Sequence, residues 1–364
     1  MPASWLRANC QCSSCLDPVS GQRLVAIADL PERSEVTAVE PDGDAVAVTF
    51  GPDGHRGTFD GAWLARAAQA NRPAPRTEAA KRLWAAADFP DGPPEARWPR
   101  YLADDGYRAA CLSRVLTDGF VLLREVPAAP GSVLAVAQSM GFVRETNYGR
   151  LFDVRVVVDP ANLAFSALAI GPHTDNPYRD PVPTVQLLHC LTSAAQGGDS
   201  GLVDGFAAAS LLRAEQPAAF GLLTATPVTF RYADATAELT ATAPMISLDP
   251  RGQVTQIRYN HRSMQPLSLG DGAGPADANR FYQAYRAFAA ILARPELMLT
   301  FRLGPGDCVV FDNTRILHAR TAFTAGSDAG HRHLQGCYAD LDGIESTAAV
   351  LHRRGRGAGS EQTA

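Results

Sequence analysis

The chain reads as a mainly β protein with flanking helices, built as an antiparallel sandwich or barrel. Three observations predict this. Short runs rich in β-branched and aromatic residues recur along the chain. Glycine, proline and aspartate clusters punctuate them as turns. The few stretches with helical character do not alternate strand for strand with these runs, as a doubly wound parallel sheet would require.

In chain order, RLVAIADL, AVAVTF and RGTF are broken by PDGD and PDGH turns and predict a small β domain over residues 1–80. The stretch RPAPRTEAAKRLWAAADFPDGPPEARWPR has a helical centre between proline clusters and reads as a connector, with the linker over 81–98. Helices are expected near 103–117 and 130–140. The runs VRVVV, TVQLLHCL, VTFRYA, QIRYN, LTFRL and CVVFD follow as strands, with helices near 205–222 and 278–294 between them. They make a second domain over 99–354, and the last residues, 355–364, read as a disordered tail.

At 364 residues, 46% hydrophobic and 20% charged, the chain has the composition of a globular protein with one large or two unequal domains. A net charge of -5 without a long basic run argues against a nucleic-acid partner. No stretch approaches the roughly 18 apolar residues of a membrane span. The opening MPASWLRANCQCSSC lacks the apolar core of a signal peptide, so a cytoplasmic protein with no membrane partner is expected. Seven cysteines without an export signal argue for reduced thiols and metal binding.

Cys10, Cys12 and Cys15 form C-x-C-x-x-C. Thiolates this close wrap one tetrahedral ion, with Zn–S near ~2.3 Å. His55, the only histidine before His173, is the candidate fourth ligand. Four protein ligands leave no open position, which makes the predicted zinc site structural. Cys111, Cys190, Cys308 and Cys337 stand in apolar contexts and read as core.

GPHTDNPYRDP sets His173 and Asp175 two residues apart. In a strand that spacing puts both on one face. Two histidines and one carboxylate bind Fe(II) and leave positions open for oxygen and a chelating co-substrate. His318, in GDCVVFDNTRILHART just past a strong strand, is the favoured third ligand. His189 reads as core, and His261, His331, His333 and His352 are less well placed.

With these residues in view, the chain resembles the gamma-butyrobetaine hydroxylase family of Fe(II)/2-oxoglutarate-dependent dioxygenases. WLRANCQCSSC and DGHRGTF resemble its N-terminal zinc domain. HTDNP, VQLLHC, GGDSGLVDGF, GQVTQIRYN, GDCVVFDNTRILHAR and RHLQGCYADLDG resemble its catalytic domain, in order. The resemblance implies a double-stranded β-helix, or jelly roll, behind a small zinc domain. It implies iron on His173, Asp175 and His318, and 2-oxoglutarate held through its distal carboxylate by Arg332, with Ser200 assisting. The implied reaction hydroxylates a C–H bond with O2 and yields succinate and CO2, with ascorbate as reductant. The implied partners are a small quaternary-ammonium substrate and a second copy of the chain in a homodimer.

The substrate implied is a trimethylammonium zwitterion of the gamma-butyrobetaine type. Such a head has no N–H to donate, so aromatic faces must hold it. Tyr148, Phe152, Phe165 and Tyr338 stand at the matching positions, and Asn162 and Asn260 at those that hold the substrate carboxylate. Asn176 stands where the animal enzymes carry another tyrosine. [2-(Trimethylamino)ethyl]phosphonate is the alternative substrate, with Arg179 and Arg262 as added donors. Trimethyllysine is a third, less favoured for its extra amino group. The non-enzyme alternative is a degenerate jelly roll that only binds a small molecule.

Overall fold

The structure, a computed structural model, describes residues 1–69, 81–155, 168–193, 196–268, 274–323 and 332–361. The chain divides into two compact units, Met1–Thr77 and Glu78–Ala364.

The first unit holds helix α1 (Ala3–Ala8), strands β1 (Glu35–Asp42), β2 (Ala45–Gly51) and β3 (Arg56–Asp60), and helix α2 (Gly61–Gln69). The three strands pair antiparallel in the order β1-β2-β3. In β3, Gly57 and Phe59 are buried while Arg56, Thr58 and Asp60 are exposed, the period of two that a one-sided sheet demands. Phe50, Phe59, Val48, Cys10 and Cys15 make the core. RLVAIADL, read as a strand, forms only the turn Ile27–Asp29 and one isolated bridge from Arg23 to Leu16. The strand lies instead at β1, where every residue is exposed and no alternation marks it.

The second unit begins with β4 (Glu95–Arg97), α3 (Trp98–Ala103), α4 (Asp105–Thr117), β5 (Phe120–Arg124), α5 (Ser132–Met140), β6 (Val143–Arg144), β7 (Phe152–Arg155), β8 (Ile170–His173), β9 (Val185–Thr192) and β10 (Ser200–Asp204). It continues with α6 (Gly205–Glu215), α7 (Pro217–Ala225), β11 (Pro227–Ala233), β12 (Glu238–Pro244), β13 (Ile246–Leu248), β14 (Val254–Ile257) and α8 (Pro275–Leu292). It closes with β15 (Met298–Phe301), β16 (Cys308–Asp312), β17 (Ile316–Arg320), β18 (His333–Ala339) and α9 (Leu341–Glu361). One large sheet runs β4-β5-β16-β9-β18-β6, with β7 also on β18; a smaller one runs β15-β10-β17-β8. All the pairings within these two sheets are antiparallel except β4 with β5. The sheets form a jelly roll.

Alternate residues explain the continuous apolar runs. Phe120, Leu122, Val309 and Phe311 pack against Leu202 and Leu299 of the smaller sheet. Val121, Leu123, Cys308 and Val310 face the other way, onto Leu112, Val136 and Ile344 of the helices. A sheet buried on both faces carries no polar alternation. Among the described residues no helix is long and apolar enough to cross a membrane.

Two segments differ from expectation. Residues 81–98 are built into the second unit and are not a linker, with Trp84, Phe89, Ala96 and Trp98 in its core: Trp84 is 2% exposed, meets Phe120 at a tilt with ring centres 5.1 Å apart and donates its indole N–H to the Asp118 carbonyl at 2.7 Å. Its alanine-rich sequence has helix propensity, but burying Trp84 and Phe89 between the sheets outweighs it, and only the turn Ala86–Asp88 remains helical. The segment read as a disordered tail continues α9 as far as Glu361, a helix whose Ile344, Ala348 and Leu351 pack on the core.

A fully buried ion pair ties these parts together. The Arg315 guanidinium donates to both carboxylate oxygens of Asp204, at 3.1 and 2.8 Å, with neither side chain accessible. Asp204 also caps α6 through the Phe206 N–H, and Arg315 donates to the Thr117 carbonyl at 2.7 Å. Arg315→Leu leaves a buried carboxylate without its counter-charge. It is expected to cost roughly 3–5 kcal/mol of stability, read as a lower denaturant midpoint. A midpoint equal to wild type would show that the pair holds nothing.

Candidate active site

His173 and His318 are directly opposed residues of the antiparallel pair β8–β17. Facing side chains across a ladder lie within touching distance, and here the two imidazole centres are 4.1 Å apart. Asp175 lies beyond the end of β8, so strand alternation does not aim it. Hydrogen bonds do. Its backbone N–H donates to Asn313 Oδ1 at 2.8 Å, and Asn313 Nδ2 donates back to its carbonyl at 2.9 Å. Thr174 is held by Tyr259 and Asn260.

The result is a cluster of two imidazoles and a carboxylate whose three ligand atoms lie within 4.8 Å of one another. His173 Nε2 is 3.5 Å from Asp175 Oδ1, and His318 Nε2 is 3.9 Å from Oδ2. His173 donates its Nδ1–H to the Gly171 carbonyl at 2.9 Å, which leaves the Nε2 lone pair facing the cluster. Asp175 Oδ2 accepts from Gln186 at 2.9 Å and from the Tyr338 hydroxyl at 3.2 Å.

Burial opposes ionisation of Asp175, but its bond to His173 and the nearby His318 charge outweigh it and hold the carboxyl well below its usual range. Burial, then repulsion from His173, pushes His318 down to about 3. An ionised Asp175 carboxylate beside a His318 imidazole that resists protonation suits a divalent cation. The cluster therefore fits Fe(II). His189 is wholly buried in β9, and His261 packs on Tyr285 at 5.7 Å. His333 pairs with Asp153 at 2.7 Å, and His352 is exposed. His331 lies outside the described residues.

The cluster opens into a cavity of about 450 Å³. Ser200 and Arg332 line it, as does Arg320, which the sequence reading passed over. The signal was present: Arg320 is two residues from His318 on β17, hence on the same face. It also faces Ser200 across the β10–β17 ladder. Burial lowers Arg332, and burial then Arg332 itself lowers Arg320 to about 10. Two buried guanidinium groups lining one cavity favour an anionic ligand, and a dicarboxylate such as 2-oxoglutarate fits.

Aromatic rings line the same cavity. Tyr148, Phe152 and Tyr338 line the cavity, with Phe152 stacked on Tyr338 at 5.2 Å. Tyr178 and Tyr232 join them unforeseen. Tyr178 belongs to the HTDNPY run itself, and Tyr232 to VTFRYA, whose residue pattern marks only a strand. Asn162 and Phe165 lie outside the described residues.

Asn176 is 2% exposed, left-handed at φ 55, and neither of its amide atoms makes a well-formed hydrogen bond to a described residue. Asn260 lines the cavity, but its amide already donates to the Thr174 carbonyl and accepts the Arg262 N–H. One amide N–H remains. Arg262 lines the cavity; Arg179 does not, and donates to the Asn147 side chain.

In the first unit Cys10, Cys12, Cys15 and His55 converge, with their ligand atoms within 4.8 Å of one another. His55 Nε2 lies 3.2, 3.6 and 3.5 Å from the three sulfurs. Burial pushes the Cys10 thiol up to about 12, while the Arg7 guanidinium lies 3.5 Å from Cys15 Sγ. Gly57 is needed for the approach, because a Cβ there would sit 2.4 Å from Cys10 Sγ. Three thiols and an imidazole this close fit a closed tetrahedral zinc site.

Residues 87–338 match the family model described as taurine catabolism dioxygenase TauD, TfdA family, and residues 1–65 match gamma-butyrobetaine hydroxylase-like, N-terminal. The chain is 38% identical over 363 residues to a gamma-butyrobetaine dioxygenase of Pseudomonas sp. (strain AK-1), covering 96% of this chain and 90% of that one. It is 27% identical to a trimethyllysine dioxygenase of Meyerozyma guilliermondii, covering 96% and 89%. An asparagine oxygenase solved with Fe(II), hydroxyasparagine and succinate superposes with a TM-score of 0.51 at 19% identity, covering 67% of this chain and 82% of the other.

Proposed function

The chain belongs to the gamma-butyrobetaine hydroxylase family of Fe(II)/2-oxoglutarate-dependent dioxygenases, and from that premise we propose that it hydroxylates a small trimethylammonium zwitterion of the gamma-butyrobetaine type. One observation carries the reading: the His173–Asp175–His318 cluster opens into a cavity that both buried guanidinium groups and aromatic rings line. The named activity of the Pseudomonas relative supports the substrate.

Bound iron and 2-oxoglutarate supply the oxidising power for C–H hydroxylation by O2, with release of succinate and CO2. His173, Asp175 and His318 hold the iron, and Gln186 and Tyr338 keep the Asp175 carboxylate oriented. Arg332, with Ser200 beside it and Arg320 adding charge, takes the distal carboxylate of 2-oxoglutarate. Tyr148, Phe152, Tyr338 and Phe165 hold the cationic head, with Asn176 beside them, while Asn162 and the free N–H of Asn260 take the anionic tail. Fixing both ends of a short zwitterion leaves few of its C–H bonds near the iron, which is how position becomes selectivity. Cys10, Cys12, Cys15 and His55 hold a structural zinc.

A phosphonate tail is the second reading, favoured by Arg262, a further cation in the cavity wall. The test offers the enzyme gamma-butyrobetaine, [2-(trimethylamino)ethyl]phosphonate and trimethyllysine with Fe(II), 2-oxoglutarate and ascorbate. Gamma-butyrobetaine is expected to gain one oxygen with one succinate formed per product. Preferential turnover of the phosphonate would establish the second reading, and turnover of none would overturn both.

A further inference from the structure

Tyr232 reaches the cavity from the β11–β12 hairpin, a two-stranded sheet separate from both sheets of the jelly roll. Its ring stacks on Tyr178 at 5.1 Å and meets Tyr148 edge-on at 5.6 Å. Tyr148 and Tyr178 are themselves joined through their hydroxyls at 2.8 Å.

Behind Tyr232 stands Asp234, exposed and outside the cavity lining. Its two oxygens do different things. Oδ1 accepts the Thr236 and Ala237 N–H groups, at 2.7 and 2.8 Å, and closes the hairpin turn. Oδ2 accepts the Tyr232 hydroxyl at 2.5 Å. The turn needs only one acceptor oxygen, which asparagine also supplies. The bond to Tyr232 is an addition the turn does not require.

The charge of the cavity gives that bond a use. Asp175 is the one carboxylate among its described lining residues, whereas Arg231, Arg262, Arg320 and Arg332 all line it, Arg231 in an ion pair with Glu238 at 2.9 Å. With Arg320 and Arg332 facing the 2-oxoglutarate carboxylate, Arg262 is the lining cation that a cationic head meets, and a more negative aromatic ring offsets it. A phenol that donates to a carboxylate gains electron density in its ring, and a ring of greater negative potential attracts a cation more strongly.

We propose that Asp234 is a positioning residue for the cationic head: it fixes the Tyr232 ring against Tyr178 and Tyr148 and, through that ring, biases the site toward a quaternary ammonium over a neutral group of the same shape. This rests on the trimethylammonium reading above.

The test measures anaerobic binding of gamma-butyrobetaine and of 5,5-dimethylhexanoate, its isostere with the same carboxylate and an uncharged tert-butyl head, to the protein loaded with Fe(II) and 2-oxoglutarate. Wild type, Asp234→Asn and Tyr232→Phe are compared. Asp234→Asn keeps an acceptor for the turn and removes the charge; Tyr232→Phe keeps the hairpin and removes the hydroxyl. Each is expected to weaken cation binding by about threefold to tenfold, with isostere affinity unchanged and the double variant no worse than either single one. A merely structural hairpin defect would weaken both ligands alike. A wild-type preference for the cation that persists in both variants overturns this inference alone. A wild type that binds the isostere as tightly as the cation overturns the trimethylammonium reading and this inference with it.

Discussion

Asp175→Ala or His173→Ala is expected to abolish hydroxylation while leaving the jelly roll folded. The physical basis is that two remaining ligands hold Fe(II) too weakly at ordinary concentrations. The loss should exceed the roughly 10–100-fold that removing an outer partner of a metal ligand costs, so Gln186→Ala, which removes only a hydrogen bond to Asp175, is the internal comparison. Folding should survive because Asn313 and Tyr259 grip the backbone of 174–175 and not the Asp175 side chain. Iron content, succinate yield and thermal midpoint check the three parts separately. Full turnover in either alanine variant would remove these residues from the iron site.

Loss of the N-terminal metal should have the largest effect on stability. Elemental analysis is expected to find one zinc per chain, resistant to mild chelation. Cys12→Ser, or strong chelation, should unfold the first unit. Structural zinc sites contribute on the order of 10 kcal/mol or more to folding, and little else can compensate here. The described core of this unit is Cys10, Cys15, Val48, Phe50 and Phe59, so two of its five buried members are themselves ligands. The second unit, with its own core, should keep its affinity for 2-oxoglutarate. Wild-type protein that is stable and free of zinc would refute the site.

Much of this was legible in the residues. Chemistry that depends on a few side chains close in sequence is written locally. Cys10, Cys12 and Cys15 announce a metal cluster by spacing, and HTD announces a ligand pair. The helices at Asp105–Thr117 and Ser132–Met140, and strands such as Cys308–Asp312, follow from periodicity and apolar runs. Where composition and burial part company, the pattern is silent: β1 carries no alternation because all its residues are exposed, and Trp84 and Phe89 sit in a stretch whose alanines promise a helix.

The sequence by itself therefore determined the fold class, the donor types and the reaction family. The tertiary structure alone decided which groups meet. His318 joins His173 because antiparallel register sets them opposite one another, and Asp175 joins both because Asn313, far along the chain, holds its backbone. Arg320 reaches the cavity through that same register. Tyr232 comes to the cavity's aromatic rings on a hairpin that pairs with neither large sheet. Local propensity acts over a few residues, whereas ladder register and long-range hydrogen bonds couple positions more than a hundred apart. Those couplings exist only once the chain has closed on itself.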